Sequence, residues 1–86
     1  MSKFVVKYLH NFKVREVRKM AISYKKLWKL LIDKDMKKKD LAEKAGISTY
    51  TINKLNRGDN VTTDVLVRIC KALECDVADI MEVVIL

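Results

Sequence analysis

The sequence of 86 residues contains no proline, two glycines and one histidine. This shortage of turn-forming residues favours helices over a β fold, which needs many tight turns. No apolar run approaches the ~20 residues that a membrane-spanning helix needs, and no signal peptide is visible. The length suits one compact domain. These features together predict a small, mainly helical cytoplasmic protein that does not enter a membrane.

Cysteine and histidine are too few and too far apart for familiar site chemistry. Cys70 and Cys75 are five residues apart, which matches neither a CxxC motif nor a zinc-ligand spacing, and His10 is distant in sequence. A single histidine with no evident nucleophile or orienting acid also argues against a catalytic triad. We therefore expect two reduced, packed thiols, no metal, no cofactor and no enzymatic activity.

The charge of the chain is strongly positive and unevenly distributed. The net charge is +7. Residues 1–19 hold six basic residues and one acidic residue, and residues 20–57 hold ten basic and four acidic residues. Residues 58–86 hold two basic and six acidic residues. A basic first two-thirds predicts one face that binds a polyanion, but charge alone does not separate nucleic acid from an anionic membrane.

The apolar residues after Ser23 recur at helical spacing, which predicts five helices. Gly46 and Gly58 are expected to end the second and third helices, because glycine adopts the left-handed conformation at low cost. Ser48 is a good N-cap for the third helix. The predicted bounds are 24–32, 37–45 and 49–56, then a helix capped by Thr62 or Thr63, and a short fifth helix that begins at Asp76. The predicted inward residues of the last two helices are Val65, Leu66, Ile69, Cys70 and Leu73, and then Val77, Ile80 and Met81.

Both ends of the chain have a different pattern. Residues 4–9 (FVVKYL) alternate as a β-strand does, and residues 83–86 (VVIL) form another β-prone run. Each is too short to be stable alone, so we expect both to pack on something. They are predicted to pair with each other, within one chain or across a dimer axis.

Residues 40–58, DLAEKAGISTYTINKLNRG, contain the most informative pattern. Ala42 leaves room for two helices to approach at a steep angle, and Gly46 supplies the tight turn between them. Ile47, Ile52 and Leu55 attach the second of these helices to the core, so its other face must project outward. This pattern predicts a helix-turn-helix whose second helix can enter a major groove.

The chain resembles the Cro/C1-type (Xre-family) helix-turn-helix regulators, and is most similar to their short stand-alone members. The resemblance covers about residues 23–83 and depends on KKKDLAEKAGISTYTINKLNRG followed by VLVRICKALECDVADI. It implies an all-α, five-helix lambda-repressor-like DNA-binding domain, with short terminal β-strands as an addition. It also implies that operator DNA is the partner and that the protein is a homodimer.

The resemblance also assigns site residues. The base-reading positions are Thr49, Tyr50, Asn53 and Lys54. The phosphate-binding positions are Lys37, Lys38, Lys39 and Arg57. Asn53 has the chemistry for a bidentate contact to adenine, and Lys54 can reach guanine or a phosphate. Many family members have glutamine where Lys38 stands, and that glutamine helps to orient a base-reading side chain. Lysine cannot act as the acceptor, so we expect Lys38 to contact phosphate.

The first 19 residues lie outside the resemblance and are treated as an extension, with the DNA-binding domain at 20–86. Met20 is itself a candidate start, since the preceding residues can be encoded by a ribosome-binding sequence. A genuine extension has two interpretations: a basic arm that reaches into a minor groove, or a strand. The apolar alternation of Phe4, Val6 and Tyr8 favours the strand.

Two functions of different classes follow. The first is a sequence-specific transcriptional regulator, more often a repressor in this family, that reads the major groove with helix 49–56. The second is a protein-interaction module, such as an antitoxin or anti-repressor, that binds a protein partner through its acidic C-terminal half or its apolar termini. Positive charge around the joint favours DNA, whereas an unpaired apolar terminal run favours the second. RNA binding ranks lower, because no aromatic stacking platform is visible.

Overall fold

The computed structural model describes residues 19–86, which form four α-helices, one short 3₁₀ helix and a two-stranded sheet. The elements in chain order are β1 (Met20–Ser23), α1 (Lys25–Asp33), α2 (Lys38–Ala45), α3 (Thr49–Arg57), α4 (Thr63–Leu73), the 3₁₀ helix (Val77–Asp79) and β2 (Glu82–Ile85). The fold is therefore mainly helical with short terminal strands, as predicted. Within residues 19–86, no helix is both long and apolar enough to cross a bilayer.

The predicted helix ends are confirmed to within a residue, because local capping determines them. Gly46 and Gly58 follow α2 and α3 in the left-handed region, with φ of 69° and 75°. Thr62 caps α4 by accepting a hydrogen bond from the Val65 amide at 3.3 Å. The cap fixes where α4 starts, and the two glycines fix where the helices before it stop.

The core draws one or two large apolar side chains from each helix. Leu27, Leu41, Leu55, Ile69 and Ile80 are the largest fully buried side chains. Tyr24, Leu31, Ala45, Ile52 and Leu73 complete the buried cluster. The helices therefore share a single core, and the orientation of each is fixed by its neighbours.

The last part of the chain differs from the prediction. The fifth helix is a single 3₁₀ turn, and it brings only Ile80 fully into the core, with Met81 half-buried beside it. Val77 was expected to face inward but is 39% exposed. A three-residue turn is too short to present a whole apolar stripe.

In α4, Ile69 and Leu73 are buried as predicted. The other three predicted positions of α4 are half-buried: Val65, Leu66 and Cys70.

The two strands bring the ends of this domain together. β1 and β2 are antiparallel, with Met20 opposite Ile85 and Ser23 opposite Glu82. The amide of Leu86 donates to the Lys19 carbonyl at 2.9 Å and extends the pairing. A strand at the C-terminus was therefore predicted correctly, but its observed partner is β1, which was not predicted. The strand predicted at 4–9 lies outside the described residues.

Ile80 anchors the chain just before β2, so its packing can be tested directly. We expect Ile80→Val to lower the free energy of unfolding by about 0.5–1.5 kcal/mol, because it removes one methylene from a site with 0% exposure. Val77→Ala is the control, since its partly exposed side chain should change stability by less than about 0.5 kcal/mol. Urea unfolding followed by circular dichroism measures both. Equal losses would contradict the assignment of Ile80 as the anchor.

Candidate nucleic-acid interface

The joint between α2 and α3 is a tight turn held from both sides. The Ile47 amide donates to the Ala42 carbonyl at 3.0 Å, which closes the end of α2 after left-handed Gly46. Arg68 of α4 extends its Nη1 to the Gly46 carbonyl at 3.5 Å and pairs through Nε with Asp64 at 2.8 Å. The turn is thereby connected to α4 as well as to the two helices that it joins.

Ser48 caps the start of α3, as the sequence predicted. Its Oγ accepts a hydrogen bond from the Thr51 amide at 3.1 Å and lies 3.0 Å from the Thr51 hydroxyl. A side chain engaged in this way satisfies one of the unpaired amides at the helix start. Ser48 therefore positions α3 and is not itself presented as a reading group.

The outward face of α3 has two rows of side chains. Ile52 and Leu55 are buried and fix the inner face of the helix. Spacing of four and then three residues aligns side chains along a helix. The first row is Thr49, Asn53 and Asn56, and the second row is Tyr50, Lys54 and Arg57. The structure thus separates the four predicted base-reading residues into two pairs.

The first row faces a groove between α2 and α3. The polar side chains that line this groove include one acid, Glu43, and are Lys38, Lys39, Glu43, Ser48, Thr49, Asn53 and Asn56. Thr49 and Asn53 are exposed, and within residues 19–86 their side chains make no hydrogen bonds to other groups. Their donors and acceptors remain available to a ligand in or over this groove.

The second row has a different character. Tyr50 is 68% exposed, unusually open for an aromatic residue. The Lys54 ammonium lies 5.6 Å from the centre of the Tyr50 ring, which is within reach of a cation–π contact. At the end of this row, Arg57 Nε pairs with Asp59 Oδ2 at 2.9 Å. This row therefore presents one aromatic ring beside two cations.

The three lysines at the start of α2 differ in the contacts that they already make within the domain. Lys37 precedes the helix, and its backbone amide donates to Asp40 Oδ2 at 2.9 Å. Lys38 donates to Asn56 Oδ1 at 2.5 Å, and its ammonium lies 4.2 Å from the centre of the Trp28 ring. Lys39 is exposed and lines the groove. Lys38 and Arg57 therefore have partners within the domain. The ammonium groups of Lys37 and Lys39 contact no partner among residues 19–86.

Sequence reasoning missed Asn56 and the exposed side of Trp28. Asn56 was considered only as the last residue of the third helix, and Trp28 was given no part in the site. The spacing of 49, 53 and 56 was the available signal for Asn56. No sequence signal pointed to the contact with Trp28, because residues 28, 38 and 56 are brought together only by the fold.

The two cysteines lie away from this face and have the properties of packed thiols. Both are free and half-buried. Burial, followed by the charge of the neighbouring Cys70, raises the pKa of Cys75 to about 11, and burial also raises the pKa of Cys70. Both therefore stay protonated at neutral pH, where thiolate chemistry is unfavourable. Among residues 19–86, no cluster of three or more His, Cys, Asp or Glu side chains could hold a metal ion.

Comparison with known proteins agrees with this geometry. Residues 26–84 match the Cro/C1-type HTH DNA-binding domain. The chain belongs to this family. A crystal structure of the transcriptional regulator VanUg (Form II) is similar to it, with 48% sequence identity and a TM-score of 0.76 over 83% of this chain and 95% of that chain. No curated protein matches the chain. The family description names a DNA-binding domain, and the name of this neighbour describes a transcriptional regulator.

Ser48 and Thr49 are adjacent but have different assigned roles, which two variants can separate. We expect Ser48→Ala to lower the free energy of unfolding by about 1 kcal/mol, because the first turn of α3 loses its cap. Thr49→Ala is the neighbouring control and should leave stability nearly unchanged, since its side chain has no hydrogen bond within the described residues. Thermal unfolding distinguishes the two. A larger loss for Thr49→Ala would contradict the capping assignment.

Proposed function

We propose that this protein is a sequence-specific transcriptional regulator, a repressor in the cytoplasm, that binds operator DNA by inserting α3 into the major groove. The observation that supports this most strongly is the outward face of α3, whose Thr49 and Asn53 side chains are uncommitted beside the basic start of α2. A helix of this kind fits a major groove about 12 Å wide. The protein acts by binding and has no enzymatic activity.

The proposed base contacts come from both rows of α3. Asn53 offers an amide that can pair in a bidentate manner with adenine, and Thr49 precedes it by one helical turn on the same row. Tyr50 packs against a thymine methyl or donates to a phosphate. Lys54, beside the Tyr50 ring, reaches guanine or a phosphate.

The proposed phosphate contacts come from Lys37, Lys38, Lys39 and Arg57. The three lysines occupy the start of α2, where the helix dipole also favours an anion. Arg57 stands at the end of the second row and must share its guanidinium with Asp59. Contacts of this type set register and orientation on the duplex, and they give affinity without sequence information.

We propose in addition that the regulator works as a homodimer. The two strands and Leu86, which follows β2, expose several apolar side chains, among them Met20, Val83, Ile85 and Leu86 itself. A two-stranded sheet with such a surface is marginal alone, and a second copy of the chain would cover it. The same surface is the specific feature that favours the second function, a module that binds a different protein, such as a toxin or a repressor.

An in-vitro selection from random duplexes tests the proposal. We expect enrichment of an inverted repeat whose half-sites are ~34–36 Å apart, because two reading helices of a dimer face successive major grooves. Enrichment of a single half-site would argue against the dimer but not against DNA reading. Absence of enrichment, with only weak salt-sensitive binding, would contradict the regulator and favour the protein-binding module.

Two variants then separate base contacts from phosphate contacts. We expect Asn53→Ala to cost ~1–3 kcal/mol of binding free energy and to relax one base position. Lys39→Ala should weaken all sequences about equally and should reduce the slope of log K against log salt by about 0.9. Fluorescence anisotropy with the selected duplex and with single-base variants measures both effects. A Lys39 variant with altered base preference would overturn the division of roles.

A further inference from the structure

Three side chains from three helices meet at one edge of the α2–α3 groove. Lys38 at the first position of α2 donates to Asn56 Oδ1 near the end of α3. The same ammonium lies over the ring of Trp28, which comes from α1, at 4.2 Å. The contact between Lys38 and Asn56 spans 18 residues, so it is a product of the fold and not of local helix geometry.

The chemistry of the contact fixes the orientation of the Asn56 amide. A lysine ammonium has three donors and no acceptor, so only the carbonyl oxygen of Asn56 can face it. The Asn56 NH₂ group is therefore turned away from Lys38. Within residues 19–86 this NH₂ group makes no hydrogen bond, and Asn56 is exposed at the edge of the groove. Two donors are thus presented outward from a fixed position.

The Trp28 ring holds the other partner in place. A flexible lysine normally loses side-chain entropy when it is ordered by a ligand. Here the ammonium already contacts both the ring and the Asn56 carbonyl, and two of its three N–H donors remain for a ligand. A pre-ordered donor set binds an anion more tightly than free side chains do, because less ordering remains to be done on binding.

We propose that Lys38 and Asn56 together form one binding site for a DNA backbone phosphate, with Trp28 as its positioning residue. The inference depends on the proposed function, and it changes the role of Lys38 within it. Lys38 does not act as an isolated cation. It supplies the charge of a two-residue site, and Asn56 supplies an amide that is oriented by the same lysine.

The affinity of variants for the selected duplex tests the site. We expect Asn56→Ala to weaken binding about tenfold or more for every sequence, because a donor to a charged oxygen is lost. Lys38→Met should do the same and should also reduce the salt slope by about 0.9. Asn56→Asp keeps an acceptor for Lys38 but places an acid against the phosphate, so its loss should be the largest.

A matched control separates the site from the general effect of charge. Lys71→Met lowers the net charge by one unit, as Lys38→Met and Asn56→Asp do, but Lys71 is an exposed residue of α4 outside the groove. We expect Lys71→Met to change affinity less than twofold. Circular dichroism of each variant checks that the helices remain folded.

Trp28 needs a measurement that a purely structural role would not affect. We expect Trp28→Leu to weaken binding in the native background but to have no further effect on affinity in Lys38→Met, since the lysine that it positions is then absent. A structural role would give the same loss of affinity in both backgrounds. Trp28→Phe keeps a ring beneath the ammonium and should restore most of the affinity.

The outcomes are distinct. If the native protein binds its selected duplex and Asn56→Ala binds as tightly as Lys71→Met, the two-residue site is overturned while the proposed function stands. If Asn56→Ala changes base preference, Asn56 reads a base and the phosphate assignment is overturned. If the native protein selects no duplex, both the proposed function and this inference fail.

Discussion

The whole arrangement depends on one tight turn between α2 and α3. Gly46 adopts φ of 69°, a conformation that costs a residue with a side chain roughly 1–2 kcal/mol. The turn redirects the chain so that Ile52 and Leu55 enter the core and the opposite side of α3 stays outside. The Ser48 cap starts the new helix at once, and Arg68 connects the turn to α4. A looser joint would leave the outward rows of α3 without a defined direction.

Basic side chains are concentrated around α2 and α3 of this fold, but some of them already have partners within the domain. Arg57 is paired with Asp59, and Lys38 lies against Trp28 and Asn56. Such exposed contacts contribute little to stability, since solvent screens them. What they change is position: they decide where a cation is held before a ligand arrives. The available charge at the start of α2 is therefore a mixture of mobile and pre-ordered groups.

The sequence predicted what local chemistry determines. Helix ends at Gly46, Gly58 and Thr62 follow from backbone conformation and capping, so they were found to within a residue. β1 was missed because four residues, MAIS, carry too little pattern, and their strand exists only through pairing with β2. The contact of Lys38 with Asn56 was missed for a related reason. It joins residues 18 apart on two different helices. The pattern around Gly46 predicts that these helices meet at a steep angle, but it does not predict which of their side chains touch.

The link among Trp28, Lys38 and Asn56 contributes little to folding, which is why we assign it to the proposed phosphate site. An exposed cation–π contact is worth about 0.5–1 kcal/mol, and an exposed hydrogen bond about as much, which is small beside the burial of a single core leucine. The fold would survive without it. These contacts do, however, order one cation and one amide before a ligand binds. The entropy cost of ordering them is then not paid on binding, which raises the affinity. In the proposed site, contacts that add little to stability would in this way add strongly to the affinity for a backbone phosphate.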